Sequence, residues 1–227
     1  RGTKLARGGN FACVMSGTPM SGDYIKAEGR AGRMGSRLMA IVAEGERGRV
    51  YLSPNPDHEA MARQARPEWT SDVPMPDNPR WFSPPLYGFR TFADLFTPRQ
   101  LVALTTFSDL VLEAREKVLE DAKKGWGGKD PGAADPGGKE NPDSGSSSPD
   151  PEASLSDGRP LSRNGTGPAA YADAVAVYLA FALSKQADLG NSLCAWEPNA
   201  QCPRHLFARQ AIPMVWDFAE GNPLGNS

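Results

Sequence analysis

TPRQLVALTTFSDLVLEAREKVLEDAKKG, residues 97–125, is the most strongly specified stretch of this 227-residue chain. Thr97, Pro98, Arg99 and Gln100 read as a capping box with proline at the first helical position: the threonine hydroxyl accepts an early backbone N–H and Gln100 reaches back. Leu101, Leu104, Phe107, Val111, Ala114 and Val118 then recur every three or four residues as one apolar stripe. Glu113 with Lys117, and Glu120 with Lys124, are spaced as supporting pairs on the other face, and Gly125 ends the element. A long amphipathic helix over 97–124 follows.

The next strongest element is 168–189, opened by Gly167 and Pro168 and closed by Gly190 and Asn191. Its body is nearly all apolar with Asp173 the only charge over 169–183, the pattern of a helix covered on most faces by other elements. The N-terminal third reads as strands over 11–15, 37–43 and 49–52, then a short helix over 58–65. Residues 67–85 hold six prolines with Trp69, Trp81 and Phe82 among them, an irregular strap packed by its aromatics. A last helical stretch is read over 206–210.

Between the two long helices, 24 of the 44 residues in 125–168 are Gly, Pro or Ser. Such a composition cannot offset backbone ordering entropy, so the segment reads as a disordered linker. The expected organisation is a strand and turn region at 1–66, the strap and long helix at 67–124, the linker at 125–168 and a helical segment at 169–227. The fold class is helix-rich α+β. Because Arg1 opens the chain and the apolar segment 212–218 lies almost at its end, it reads as an internal piece of a longer protein.

Hydrophobic residues make up 39% and the net charge is −2, which excludes a polybasic coat protein as a whole. No apolar run reaches the eighteen or so residues of a membrane span, so no membrane partner is expected. Three cysteines without close pairing argue against a disulfide scaffold and for a reducing compartment, the cytoplasm.

Three constellations bear on chemistry. Cys13 and Ser16 have the spacing of half a zinc ribbon, but a neutral hydroxyl is a poor ligand where a thiolate is wanted, and Cys194, Cys202 and His205 form a loose trio without a matching pair. Gly29, Gly32 and Gly35 stand three apart with Arg30, Arg33 and Arg37 between and after them, and residues 1–37 carry seven positive and two negative charges. Flexible backbone beside guanidinium groups suits phosphate, so Arg30, Arg33, Arg37 and nearby Lys26 are candidates for DNA-backbone contact. A solvated turn whose arginines pair with carboxylates fits the same residues. Finally, SPPLY at 83–87 resembles the motif that binds an exocyclic amine in base methylation, yet its aromatic arrives one residue late, as in a packed proline turn.

Longer phrases carry a family likeness. DYIKAEGRAGRMG at 23–35, LMAIVAEG at 38–45, FTPRQLVALTTFSDL at 96–110 and PMVWDFAE at 213–220 resemble the large bacterial and archaeal adenine-specific DNA methylases that contain a zinc ribbon and occur with phage-defence genes. The resemblance implies an S-adenosylmethionine-dependent parent on a Rossmann-like sheet that methylates adenine in double-stranded DNA. The Cys13/Ser16 departure speaks against a working zinc site through this half. Both signature motifs of such enzymes are missing here, so the chain's expected contribution is structural support plus backbone contact, with Trp216, Asp217 and Glu220 as candidates for the cofactor pocket. The alternative is a non-catalytic helical module that docks onto proteins of a defence system.

Overall fold

The computed structural model describes residues 3–6, 10–127, 157–208 and 210–225. These residues contain four α-helices and three antiparallel two-stranded sheets: β1 (Phe11–Ala12) with β2 (Pro19–Met20), β3 (Ile41–Gly45) with β4 (Gly48–Leu52), and β5 (Trp196–Glu197) with β6 (Cys202–Pro203). The helices are α1 (Gly22–Arg30), α2 (Pro56–Ala62), α3 (Pro98–Gly127) and α4 (Pro168–Leu189). A helix-rich α+β chain is what the composition implied. The described sheets contain no parallel pairing of strands, so the Rossmann-like part of the expectation has no counterpart among them. No described helix is long and apolar enough to cross a membrane.

The chain divides into two compact units, Arg1–Thr105 with Lys185–Ser227, and Thr106–Ser184. The expected boundaries at 66, 124 and 168 cut the chain differently, because composition marks surface segments while this division marks packing.

In the first unit the core gathers Met75, Leu95, Leu193, Cys194, Leu206 and Ile212, with Phe82, Phe89, Phe92, Phe96, Met214 and Val215 packed around it. The proline strap at 67–85 is irregular, as its composition demands. Two short 3-10 turns follow, Pro84–Tyr87 and Phe92–Leu95, the second closed by a capping box between Thr91 and Asp94. Residues 212–214 then run along the strap: Ile212 N–H donates to the Trp81 carbonyl, Ser83 N–H to the Ile212 carbonyl, and Met214 N–H to Ser83 Oγ at 2.7 Å.

The start of α3 departs from the expected cap in an instructive way. Thr97 N–H donates to Gln100 Oε1 at 2.8 Å, so the glutamine half is formed. Thr97 Oγ1 is buried without a hydrogen-bond partner, so the threonine half is not. Gln100, only 5% exposed, instead turns its amide outward to Glu220, and that carboxylate takes over as the anion at the helix start. The six residues of the apolar stripe are all buried or half-buried, whereas most of the other positions are exposed.

The C-terminus of α4 is closed by Asn191, fully buried, whose amide donates to the carbonyls of Ala187 and Asp188 while its oxygen accepts from Leu193 N–H. Where a helix is expected at 206–210, the described residues form a turn instead, pinned because Asp188 accepts from Phe207 N–H and the Asp188 carbonyl from Leu206 N–H. The strand expected at 11–15 stops at Ala12, since Cys13 enters a turn in which Gly17 takes a φ of 72°. β4 lies where expected. β3 starts later than expected, at Ile41 rather than at 37, and α2 ends at Ala62.

In the second unit, α3 and α4 are tied by Arg115, which donates from Nε to Asp173 Oδ1 at 2.8 Å. Asp173 Oδ2 also accepts from Leu161 N–H at 2.9 Å, so one carboxylate holds both a helix and the turn before α4. Most of the expected linker lies outside the described residues. Its described ends are not linker-like: 125–127 continue α3, and 157–168 form a closed turn. Asp157 closes that turn by accepting from the backbone and guanidinium of Arg159 and from the backbone and hydroxyl of Thr166. Composition missed this because a single well-placed carboxylate satisfies several donors that a glycine-rich segment otherwise leaves to water.

Hydrogen bonds from the Arg159 side chain and from the Thr166 and Arg159 backbone hold the Asp157 carboxyl far below the usual carboxylate range. The Leu161 N–H and then Arg115 lower that of Asp173. A carboxyl depressed in the folded state stabilises above its unfolded value, and that stabilisation is lost as pH falls through the folded value. Acidification below about pH 4 is therefore expected to weaken the second unit. Urea unfolding followed by circular dichroism should show a stability loss between neutral pH and pH 3 that Asp173→Asn reduces.

Candidate nucleic-acid interface

The basic stretch around Arg30 is built on α1, a helix the glycine-rich sequence concealed. Ser21 caps it by accepting from Tyr24 N–H, Asp23 sits in the first turn and Arg30 in the last. These were the readable signals for a helix at 22–30. The three glycines stand in three different environments. Gly29 is buried, and a Cβ there would run into the backbone of Tyr87, so it lets α1 rest directly on the turn at Pro84–Tyr87. Gly32 takes a φ of 68° just past the helix end, where its N–H donates to the Gly29 carbonyl. Gly35 faces open space. Packing and helix termination thus account for two of the three glycines without a phosphate.

The four basic candidates divide in two. Arg33 makes a two-pronged ion pair with Glu28, Nε to Oε2 at 2.7 Å and Nη2 to Oε1 at 2.8 Å, which lowers the Glu28 carboxyl and raises the Arg33 guanidinium. Lys26 reaches Asp23 Oδ1 at 3.2 Å. Arg30 and Arg37 are exposed and have no carboxylate partner among the described residues. The carboxylate-paired turn therefore describes Arg33 and Lys26, and the free guanidinium groups are at 30 and 37.

Trp216, Asp217 and Glu220 stand in three different settings. Trp216 is wedged edge-on between Phe11, at 5.2 Å between ring centres, and Tyr87, at 5.0 Å. This three-ring cluster ties the strap turn, β1 and the 212–218 segment together. Glu220 is engaged by Arg99 at 3.1 and 2.6 Å and by Gln100 at 2.5 Å. Asp217 is exposed. The Glu220 carboxylate is thus engaged at the start of α3, whereas that of Asp217 is open to solvent.

SPPLY at 83–87 is a packed turn. Pro84 is fully buried, Ser83 Oγ accepts the Met214 N–H, and Tyr87 lies against Trp216, so neither polar group nor ring is presented to a flipped base.

Cys13 lies in the turn between β1 and β2, where hydrogen bonds from the Ser16 side chain and from the backbone of Ser16 and Met15 lower its thiol. Cys194 is buried, and that burial raises its thiol; its Sγ donates to the Asp188 carbonyl. His205 Nδ1 sits 2.6 Å from Asp188 Oδ2, and Cys202 is exposed. Among the described residues no group of three or more His, Cys, Asp or Glu side chains is placed to hold a metal ion.

Replacing Glu220 by alanine strips Arg99 and the buried Gln100 of their shared acceptor at the start of α3. About 1–2 kcal/mol of stability should be lost, measured by urea unfolding, because charge-assisted bonds of this kind contribute that order when partly exposed. Comparison with protein-family models, with curated proteins and with solved structures finds no significant match.

Proposed function

We propose that this chain is part of an S-adenosylmethionine-dependent DNA adenine methyltransferase of the cytoplasm, associated with phage defence, and that it supplies structural support and contact to the duplex backbone. The sequence phrases at 23–35, 38–45, 96–110 and 213–220 motivate the parent activity. The observation that carries the backbone contact is the pair Arg30 and Arg37, exposed on either side of the Gly32 turn and free of carboxylates among the described residues. Guanidinium groups in that state donate to phosphate oxygens without first breaking an internal ion pair. Arg33 and Lys26 help less, since each must exchange a carboxylate for a phosphate. In this reading the methyl-transfer groups and the cofactor are supplied from outside these residues.

Contact to phosphate releases counterions, so affinity for duplex DNA falls as salt rises, with a slope of roughly 0.9 per contact. Titration of labelled duplex at several salt concentrations should show such a fall. Arg30→Ala with Arg37→Ala should flatten the slope by about 2, and Arg33→Ala by less. Unchanged binding after the double replacement refutes the contact. The second reading, a protein-docking module, is favoured by one feature, the exposed apolar middle of α4.

A further inference from the structure

The end of α1 is closed twice over. Arg33 N–H donates to the Glu28 carbonyl at 3.0 Å and Gly32 N–H to the Gly29 carbonyl at 2.9 Å, the paired backbone bonds of a helix that stops at a left-handed glycine. The side chains of 28 and 33 then meet again in the two-pronged ion pair. The backbone bonds are enough to stop the helix, so the ion pair is a separable addition. Nor does α1 gain from the carboxylate itself: Glu28 stands in the last turn, where a negative charge opposes the helix dipole. Arg33, not the helix, accounts for Glu28.

The chemistry of the pair says what it does. One edge of a guanidinium presents two N–H groups to two oxygens, and a carboxylate and a phosphodiester both offer such a pair of oxygens. Only one anion holds that edge at a time. The Arg33 side chain is 61% and that of Glu28 26% exposed, so the pair lies at the surface, where an ion pair shifts an equilibrium by only a few-fold and opens without unfolding. Building on the reading of Arg30 and Arg37 as duplex contacts, we propose that Glu28 is a built-in stand-in for phosphate, which keeps Arg33 out of contact with the DNA backbone and holds the affinity down. While Glu28 keeps its charge, moving Arg33 to a phosphate neutralises one anion and uncovers another, so no net counterion is released there. Without that charge the third guanidinium joins the other two.

Titration of labelled duplex with the whole chain at several salt concentrations tests it, using Glu28→Gln, Arg33→Ala and the two combined. Glu28→Gln should tighten binding about 3-fold at low salt and steepen the salt dependence by roughly 0.9. Adding Arg33→Ala should abolish both gains. A carboxylate that merely repels DNA through space would give the same gain with or without Arg33, so a gain that survives in the combined variant overturns the proposal. So does an unchanged affinity in Glu28→Gln when binding still depends on Arg30 and Arg37. Both of these results leave the duplex contact itself standing, whereas binding indifferent to Arg30→Ala with Arg37→Ala removes that contact and the role of Glu28 together. The circular dichroism of Glu28→Gln should match the parent's, and a loss of helix shows that the pair is not separable and overturns the proposal too.

Discussion

The carbonyl of Leu95 accepts two hydrogen bonds from Ser192, one from its backbone N–H at 2.8 Å and one from its hydroxyl at 2.7 Å. Leu95 itself is wholly buried in the core beside Leu193 and Cys194. This junction joins the residues just before α3 to those just after α4, and much of the first unit is arranged around it. The turn that ends at Leu95 sets where α3 begins, and Asn191 sets where α4 stops. The chain then returns along the strap to bring Glu220 to Arg99 and Gln100. A buried carbonyl must be satisfied, and here a serine nearly a hundred residues away does so twice.

Both long helices were legible because their signals are local. Pro168 at the first position and Gly190 after the last fix α4, and the period of Leu101, Leu104, Phe107 and Val111 fixes the buried side of α3. α1 was hidden for the opposite reason: Gly29 and Gly32 read as backbone freedom, whereas one is a contact with Tyr87 and the other a helix terminator. Nothing short of the fold reveals that Tyr87 lies against Gly29. The closed turn at 157–168 was similarly unreadable, since its order comes from the geometry around Asp157 and Asp173, not from the identity of its neighbours.

The candidate site was legible as a charge excess but not as a set of free charges. Sequence places Arg30, Arg33 and Arg37 on an equal footing. Only the fold shows Glu28 two-pronged on Arg33 and leaves the other two without a carboxylate among the described residues. The reverse holds for Glu220, which sequence could associate with a pocket. Its partners come from the first turn of a helix more than a hundred residues earlier, and such long-range pairing leaves no trace in spacing. Trp216 was visible as a large aromatic in an apolar segment, while its role as the middle ring between Phe11 and Tyr87 required three distant segments to meet.

The first unit is assembled from two stretches of chain with the whole second unit inserted between them. On a ribosome that order matters. Residues 106–184 emerge as one continuous piece and can close on themselves early, whereas the first hundred residues must wait for the last forty before Leu95 meets Ser192 or Ser83 meets Met214. During that interval Phe82, Phe89, Phe92 and Phe96 lack Leu193, Cys194, Leu206 and Ile212, the later half of the core they pack against, so this stretch is the one exposed to premature association.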